Sequence, residues 1–237
     1  MIIMTNDEFI ECLKKSFIKY LQTSERSNEK LKILHAEIAQ DIIKRLEDDK
    51  YSVHSLGVND GKEKRIKGRY VDKKVDIAVS YLDENVAGFA VKFVMSNYSQ
   101  NSNNYFENML GETANIRSAN IPYFQIFCIF DTLPYYDKNG DILKWEKISE
   151  HNIDKYTKLS EDCTDLFYHT PNKILIYNIH LENPIIDIKN KDEYKRYYLN
   201  HNFKVTVSSN KFSFGNNVIY NDYEKFITKA AHLILGQ

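Results

Sequence analysis

Between Lys73 and Phe93 the chain reads KKVDIAVSYLDENVAGFAVKF, two short apolar runs joined by a polar turn. The second run is apolar at successive positions, the pattern of a central strand covered on both faces. Yet the first run opens on Asp76 and the second carries Lys92. A charge inside a buried strand is costly unless a partner offsets its desolvation. Any fold of this chain must therefore bring something polar to both residues.

The surrounding pattern supplies the scaffold. Thr5 to Glu8 reads TNDE, a capping box. Phe9, Leu13, Phe17 and Leu21 continue it at helical spacing. A second helix is expected over roughly 28–48, with Leu31, Leu34, Ile38, Ile42 and Leu46 on one face. YSVHSLGV and RYVDKKVDIAVSYL read as strands, followed by NVAGFAVKFVM. Ser96 to Asn104 is rich in Asn and Ser and reads as a polar loop. A helix over about 105–117 and the apolar strand YFQIFCIF (Tyr123 to Phe130) come next. Then follow a hairpin turn at Asn139-Gly140, a helix near 152–159, the strand KILIYNIHL and a helix around 192–199. Two short strands, FKVTVS and KFSFG, and a closing helix over about 222–235 complete the pattern. With 4 Pro and 8 Gly in 237 residues there is little linker material, so a single domain is expected.

Charge and cysteine usage narrow the class. Cys12, Cys128 and Cys163 are scattered without CxxC spacing, which points to a reducing compartment and against a zinc site. MIIMTNDEF lacks the basic-then-apolar pattern of a signal peptide, and no apolar stretch suits a membrane span. A cytoplasmic protein is expected. The formal net charge of -1 means that a polyanion would have to be bound by local clustering. Such a cluster exists: Lys62, Lys64, Arg65, Lys67, Arg69, Lys73 and Lys74 face only Glu63 and Asp72, and the run leads directly into Asp76. A solvated hairpin is the plain alternative.

Other motifs fall away. DKNGD at Asp137 to Asp141 has its glycine in the wrong place for a calcium loop, and Ile148 stands where the bidentate Glu is needed. The seven histidines do not cluster; His35 falls on a helix and His180 in a strand, so each is expected to be structural rather than catalytic, and there is no GxSxG, Walker A or GxGxxG motif.

The remaining order is helix, strand, strand with Asp, strand with x-x-Lys, helix, strand. This resembles the PD-(D/E)XK nuclease superfamily, the fold of most type II restriction endonucleases. The match rests on Val75-Asp76 and Ala90-Val91-Lys92, sixteen positions from Asp76 to Lys92, and covers roughly 31–130. The resemblance implies an α/β fold with a mixed central sheet flanked by helices, restriction-endonuclease-like. A nuclease core over about 28–131 would carry a C-terminal elaboration (132–237) for DNA recognition or dimerisation.

The chemistry implied is metal-assisted hydrolysis of a DNA phosphodiester. A divalent cation neutralises transition-state charge and acidifies the attacking water. Mg²⁺ is expected, held by oxygens: Asp76 first, with the Val91 carbonyl as a second ligand. Lys92 would orient the water or stabilise developing negative charge. Ala90, however, stands where the pattern has an acid. Some restriction-enzyme branches carry this acid on the following helix, where Glu107 and Glu112 lie; Glu107 is preferred, being nearer the end of the Lys92 strand. Glu37, on the helix before the core strands, is a third candidate. Of the DNA-contacting positions, Lys64, Arg65, Lys67 and Arg69 suit phosphates, while Asn97 and Gln100 in the polar loop suit base edges. A palindromic duplex target would suit a homodimer. A catalytically inactive nucleic-acid-binding relative, or a repair or nicking nuclease, is the alternative.

Overall fold

The computed structural model describes residues 3–23, 27–58 and 61–237. It is an α/β protein whose mixed central sheet is flanked by helices. The chain begins with α1 (Asn6–Gln22) and α2 (Glu29–Leu46), then β1 (Tyr51–Ser55). The basic run folds into a hairpin of β2 (Arg65–Lys67) and β3 (Asp72–Lys74). There follow β4 (Ile77–Tyr81), β5 (Glu84–Val94), α3 (Tyr98–Arg117) and β6 (Tyr123–Phe130). The second half contains β7 (Thr132–Tyr136), β8 (Ile142–Lys147), α4 (Glu150–Ser160), β9 (Lys173–Leu181), α5 (Lys191–Asn200), β10 (Val205–Val207), β11 (Val218–Tyr220) and α6 (Tyr223–Leu235).

The main sheet runs β1-β4-β5-β6-β9-β10, with β11 also paired to β9. β4 runs antiparallel to both of its neighbours, β1 and β5, whereas β5, β6 and β9 are parallel. All eight residues of β6 are buried, because both its faces are covered. One face packs Val53, Val79, Phe89, Val91, Ile126 and Tyr177 against residues of α1, α2, α5 and α6. The other face carries α3 and α4, with Met109 and Tyr156 against Ile174 and Ile176. On this face too, Ile66 and Val75 of the basic segment pack with Ala78, Ile116 and Tyr123. The second half adds β9, β10 and β11 to this sheet, while β7 and β8 pair apart from it. No helix among the described residues is long and apolar enough to cross a membrane.

Three local expectations are corrected. RYVDKKVDIAVSYL is not one strand: it breaks at Val75 and Asp76 into β3, which pairs with β2, and β4, which joins the main sheet. KFSFG forms no strand, and the chain rejoins the sheet only at β11. The supposed loop at Ser96 to Asn104 is helical from Tyr98 onward. Its cause is tertiary. The buried Glu146 of β8 accepts from the free N–H groups of Tyr98 at 2.7 Å and Ser99 at 3.1 Å, where a helix start needs both acceptors and negative charge. Asn97, at φ 50°, exchanges hydrogen bonds with the Tyr136 backbone, 3.0 Å to its N–H and 2.9 Å to its carbonyl. The same contacts hold Asn97 and Gln100. Asn97 ties α3 to β7, and Gln100 lies in the first turn of α3 with its side chain accepting from Asn97 at 3.3 Å.

Candidate functional site

β4 begins one residue after Asp76, pairing Ile77 with Phe89 of β5. Extending that antiparallel register by one residue sets Asp76 opposite Ala90. Here β4 has ended, so β5 has a free edge at Val91, and the Asp76 carboxylate takes its place: Oδ2 accepts from the Val91 N–H at 2.7 Å. The carbonyl and N–H of one strand residue leave on the same edge, so the Val91 carbonyl also opens beside Asp76.

Asp76, Ala90 and Lys92 line one side of a cleft of about 550 Å³, and Tyr105, Met109 and Glu112 of α3 line the other. Lys92 is exposed along part of its length, yet burial of its ammonium end lowers its pKa, opposed by the Asp76 and Glu112 carboxylates. The Tyr105 ring lies beneath the ammonium, 4.2 Å from Nζ to the ring centre. A cation over an aromatic face recovers part of the lost hydration, so this ring and the two acids are the partners that the strand lysine required. Burial pushes the Asp76 carboxyl up to about 6, with Glu63 and Glu112 adding to the rise; the Val91 N–H and Lys92 oppose it. Asp76 is therefore a carboxylate under electrostatic load, as perturbed groups at functional sites commonly are.

Of the two helix acids, the structure brings Glu112 to the cleft and leaves Glu107 out. Because α3 starts at Tyr98, Glu107 lies in its third turn, exposed, with its charge acting on Lys155 of α4. Glu112 bonds to Lys73 of the basic hairpin and accepts from the Tyr123 hydroxyl at 3.4 Å. The expectation for Glu37 is revised as well. It is exposed and lines a groove between α1 and α2 with Glu11 and Lys15. Two residues earlier, about 200° round the helix, His35 faces inward and is fully buried.

His35, Glu63 and Asp76 each offer a ligand atom, and these atoms all lie within 4.8 Å of one another. Burial lowers the His35 pKa to about 4, against a smaller raising effect of Glu63, so the ring is neutral at neutral pH. A neutral imidazole and two carboxylates are chemically suited to a divalent cation. Another side chain that sequence reasoning missed is Gln125. It pairs with Ala90 across β5 and β6, lines the same cleft, and is buried with its amide nitrogen unpartnered. Its signal was available in the sequence: it is the polar residue of YFQIFCIF, as Lys92 is of its own strand.

The basic hairpin is fixed over α3. Asn115 accepts from the N–H groups of Tyr70 at 2.9 Å and Val71 at 3.2 Å and donates to the Val71 carbonyl at 2.8 Å. The Arg69 N–H donates to the Asn115 carbonyl at 2.9 Å. Arg65, Lys67 and Arg69 are exposed. Lys64 is not presented in the same way, since its ammonium turns inward to the Ser80 hydroxyl at 2.9 Å. Lys74 is paired with Glu63 at 2.7 Å.

Comparison of the chain with protein-family models, with curated proteins and with solved structures finds no match.

Proposed function

We propose that the protein is a metal-dependent endonuclease of the PD-(D/E)XK type that hydrolyses double-stranded DNA, a type II restriction enzyme with the second motif carboxylate displaced. The observation that carries this reading is the meeting of Asp76, Lys92 and Glu112 in one cleft. It is supported by the succession α2, β1, β4, β5, α3, β6 with those strands adjacent in the sheet in that order. Arg65, Lys67 and Arg69 on the anchored hairpin suit contacts to phosphates, which position a duplex without reading its sequence.

In this reading a divalent cation, Mg²⁺ by the sequence expectation, supplies the Lewis acidity that activates water and neutralises charge on the phosphate. Asp76 and the Val91 carbonyl would hold it. Lys92 presents its ammonium to the scissile phosphate, with Tyr105 fixing its direction. Glu112, shared between Lys73 and the cleft, links the basic hairpin to the reacting centre. A homodimer in the cytoplasm acting on a palindromic site completes the proposal.

The test is incubation of supercoiled plasmid and linear duplex with purified protein, with Mg²⁺ and with EDTA. Metal-dependent scission that is lost in Lys92→Met, with the circular dichroism spectrum unchanged, is the expected result. Sequencing the cut ends then reads the target. Binding of duplex without scission under any divalent cation would favour the inactive relative, a reading that Ala90 itself motivates.

A further inference from the structure

The His35 ring is fully buried, and neither of its nitrogens has a hydrogen-bond partner among the described residues. Leaving a buried polar atom unpaired is costly, and such an atom calls for a cause, an ion being one of the few available. The ring lies within 4.8 Å of carboxylate oxygens of Glu63 and Asp76, and the three come from separate places: α2, the stretch before β2, and the start of β4. Atoms bound to one cation at about 2.1 Å stand roughly 3–4 Å apart, so small side-chain rotations close the set around an ion.

We infer that His35, Glu63 and Asp76 form a divalent-cation site whose imidazole ligand makes it prefer Mn²⁺ to Mg²⁺. Imidazole is a good ligand for first-row transition ions, whereas Mg²⁺ favours an all-oxygen shell. Two carboxylates keep the site hard enough for Mn²⁺, which ranks lowest of the transition ions in intrinsic affinity but accepts both nitrogen and oxygen. One of the two orphaned nitrogens of His35 gains its partner. The site also accounts for Ala90: a carboxylate arriving from Glu63 makes an acid at that strand position dispensable. The Lys74 ammonium on Glu63 holds that carboxylate near Asp76 despite their mutual repulsion.

The inference rests on the nuclease reading only for its consequence, since metal binding is measurable without DNA. The purified full chain is titrated with Mn²⁺ and with Mg²⁺, and the Mn²⁺ complex is examined by electron spin-echo spectroscopy for ¹⁴N coupling. Binding of Mn²⁺ at least about tenfold tighter than Mg²⁺, with one imidazole nitrogen coupled, is expected. His35→Gln should abolish the nitrogen signal, and Glu63→Gln should weaken Mn²⁺ at least about tenfold. An oxygen-only spectrum from the wild-type protein, or equal affinity for the two ions, overturns the inference. Should His35→Gln fail to fold, Glu63→Gln decides: undiminished Mn²⁺ affinity in that variant refutes the site. A nitrogen-coupled Mn²⁺ complex that never cuts DNA would leave this inference standing and remove the nuclease reading. Scission by a protein with an oxygen-only spectrum would do the reverse.

Discussion

Replacing Asp76 by Asn should stabilise the metal-free protein and, on the nuclease reading, abolish cleavage. The magnitude follows from the carboxyl's surroundings. Burial foremost, then Glu63 and Glu112, carries its pKa from 3.8 to about 6. Two units correspond to about 3 kcal/mol of penalty on the charged form. Asn keeps an acceptor for the Val91 N–H but loses the charge-assisted part of that bond, so a net gain of roughly 1–2 kcal/mol is expected. The pH dependence has a definite sign. A carboxyl whose folded pKa is raised binds more protons folded than unfolded between about pH 4 and 6, so its contribution to stability falls as pH rises through that window. Urea unfolding of both proteins in EDTA, from pH 4 to pH 8, measures it. The advantage of the variant should grow from pH 4 to 6 and then level off. Saturating divalent cation should reverse the order, because an ion at 100 times its dissociation constant adds about 2.7 kcal/mol to the protein that binds it. A variant less stable than wild type at pH 8 in EDTA would refute the account of Asp76 as a carboxylate held at a cost.

Three further outcomes are expected. Glu112→Gln should lower the cleavage rate at least about tenfold, and Glu107→Gln should leave it within about twofold; single-turnover kinetics of the pair checks this, and the opposite ranking would return the helix acid to Glu107. Changing Arg65, Lys67 and Arg69 together to Gln should weaken duplex binding alike for all sequences and reduce the salt slope by up to about 3, as measured by fluorescence anisotropy across a salt series. Gly68→Ala should cost roughly 1–3 kcal/mol in thermal or urea unfolding, because a Cβ there would overlap the Asn115 amide and the Val71 carbonyl; no loss would mean that Asn115 does not hold the hairpin as drawn.

How much of this was legible in the sequence depended on how far the relevant forces act along the chain. Thr5 and Glu8 form the expected capping box, and Asn139-Gly140 turns the expected β7–β8 hairpin, because both signals are complete within a few residues. Periodicity located α2, β5, β6 and β9, since burial of one face or two faces leaves its mark on consecutive side chains. Asp76 and Lys92 were conspicuous for the same reason, as charges in apolar runs. What the sequence could not determine was set by contacts across long separations. The start of α3 depends on Glu146, some fifty residues away and buried against the Tyr98 and Ser99 amides. The choice between Glu107 and Glu112 followed from that start together with the Lys73 ion pair. The inward member of α2 is His35 and not Glu37, because rotation of a helix about its axis is decided by what it packs on, and a polar residue at the edge of an apolar stripe carries no local sign of which way it falls. Glu63 reaches Asp76 because the basic segment, whose hairpin the sequence already suggested, docks over the sheet and α3, a placement set by distant contacts to Asn115 and allowed by Gly68.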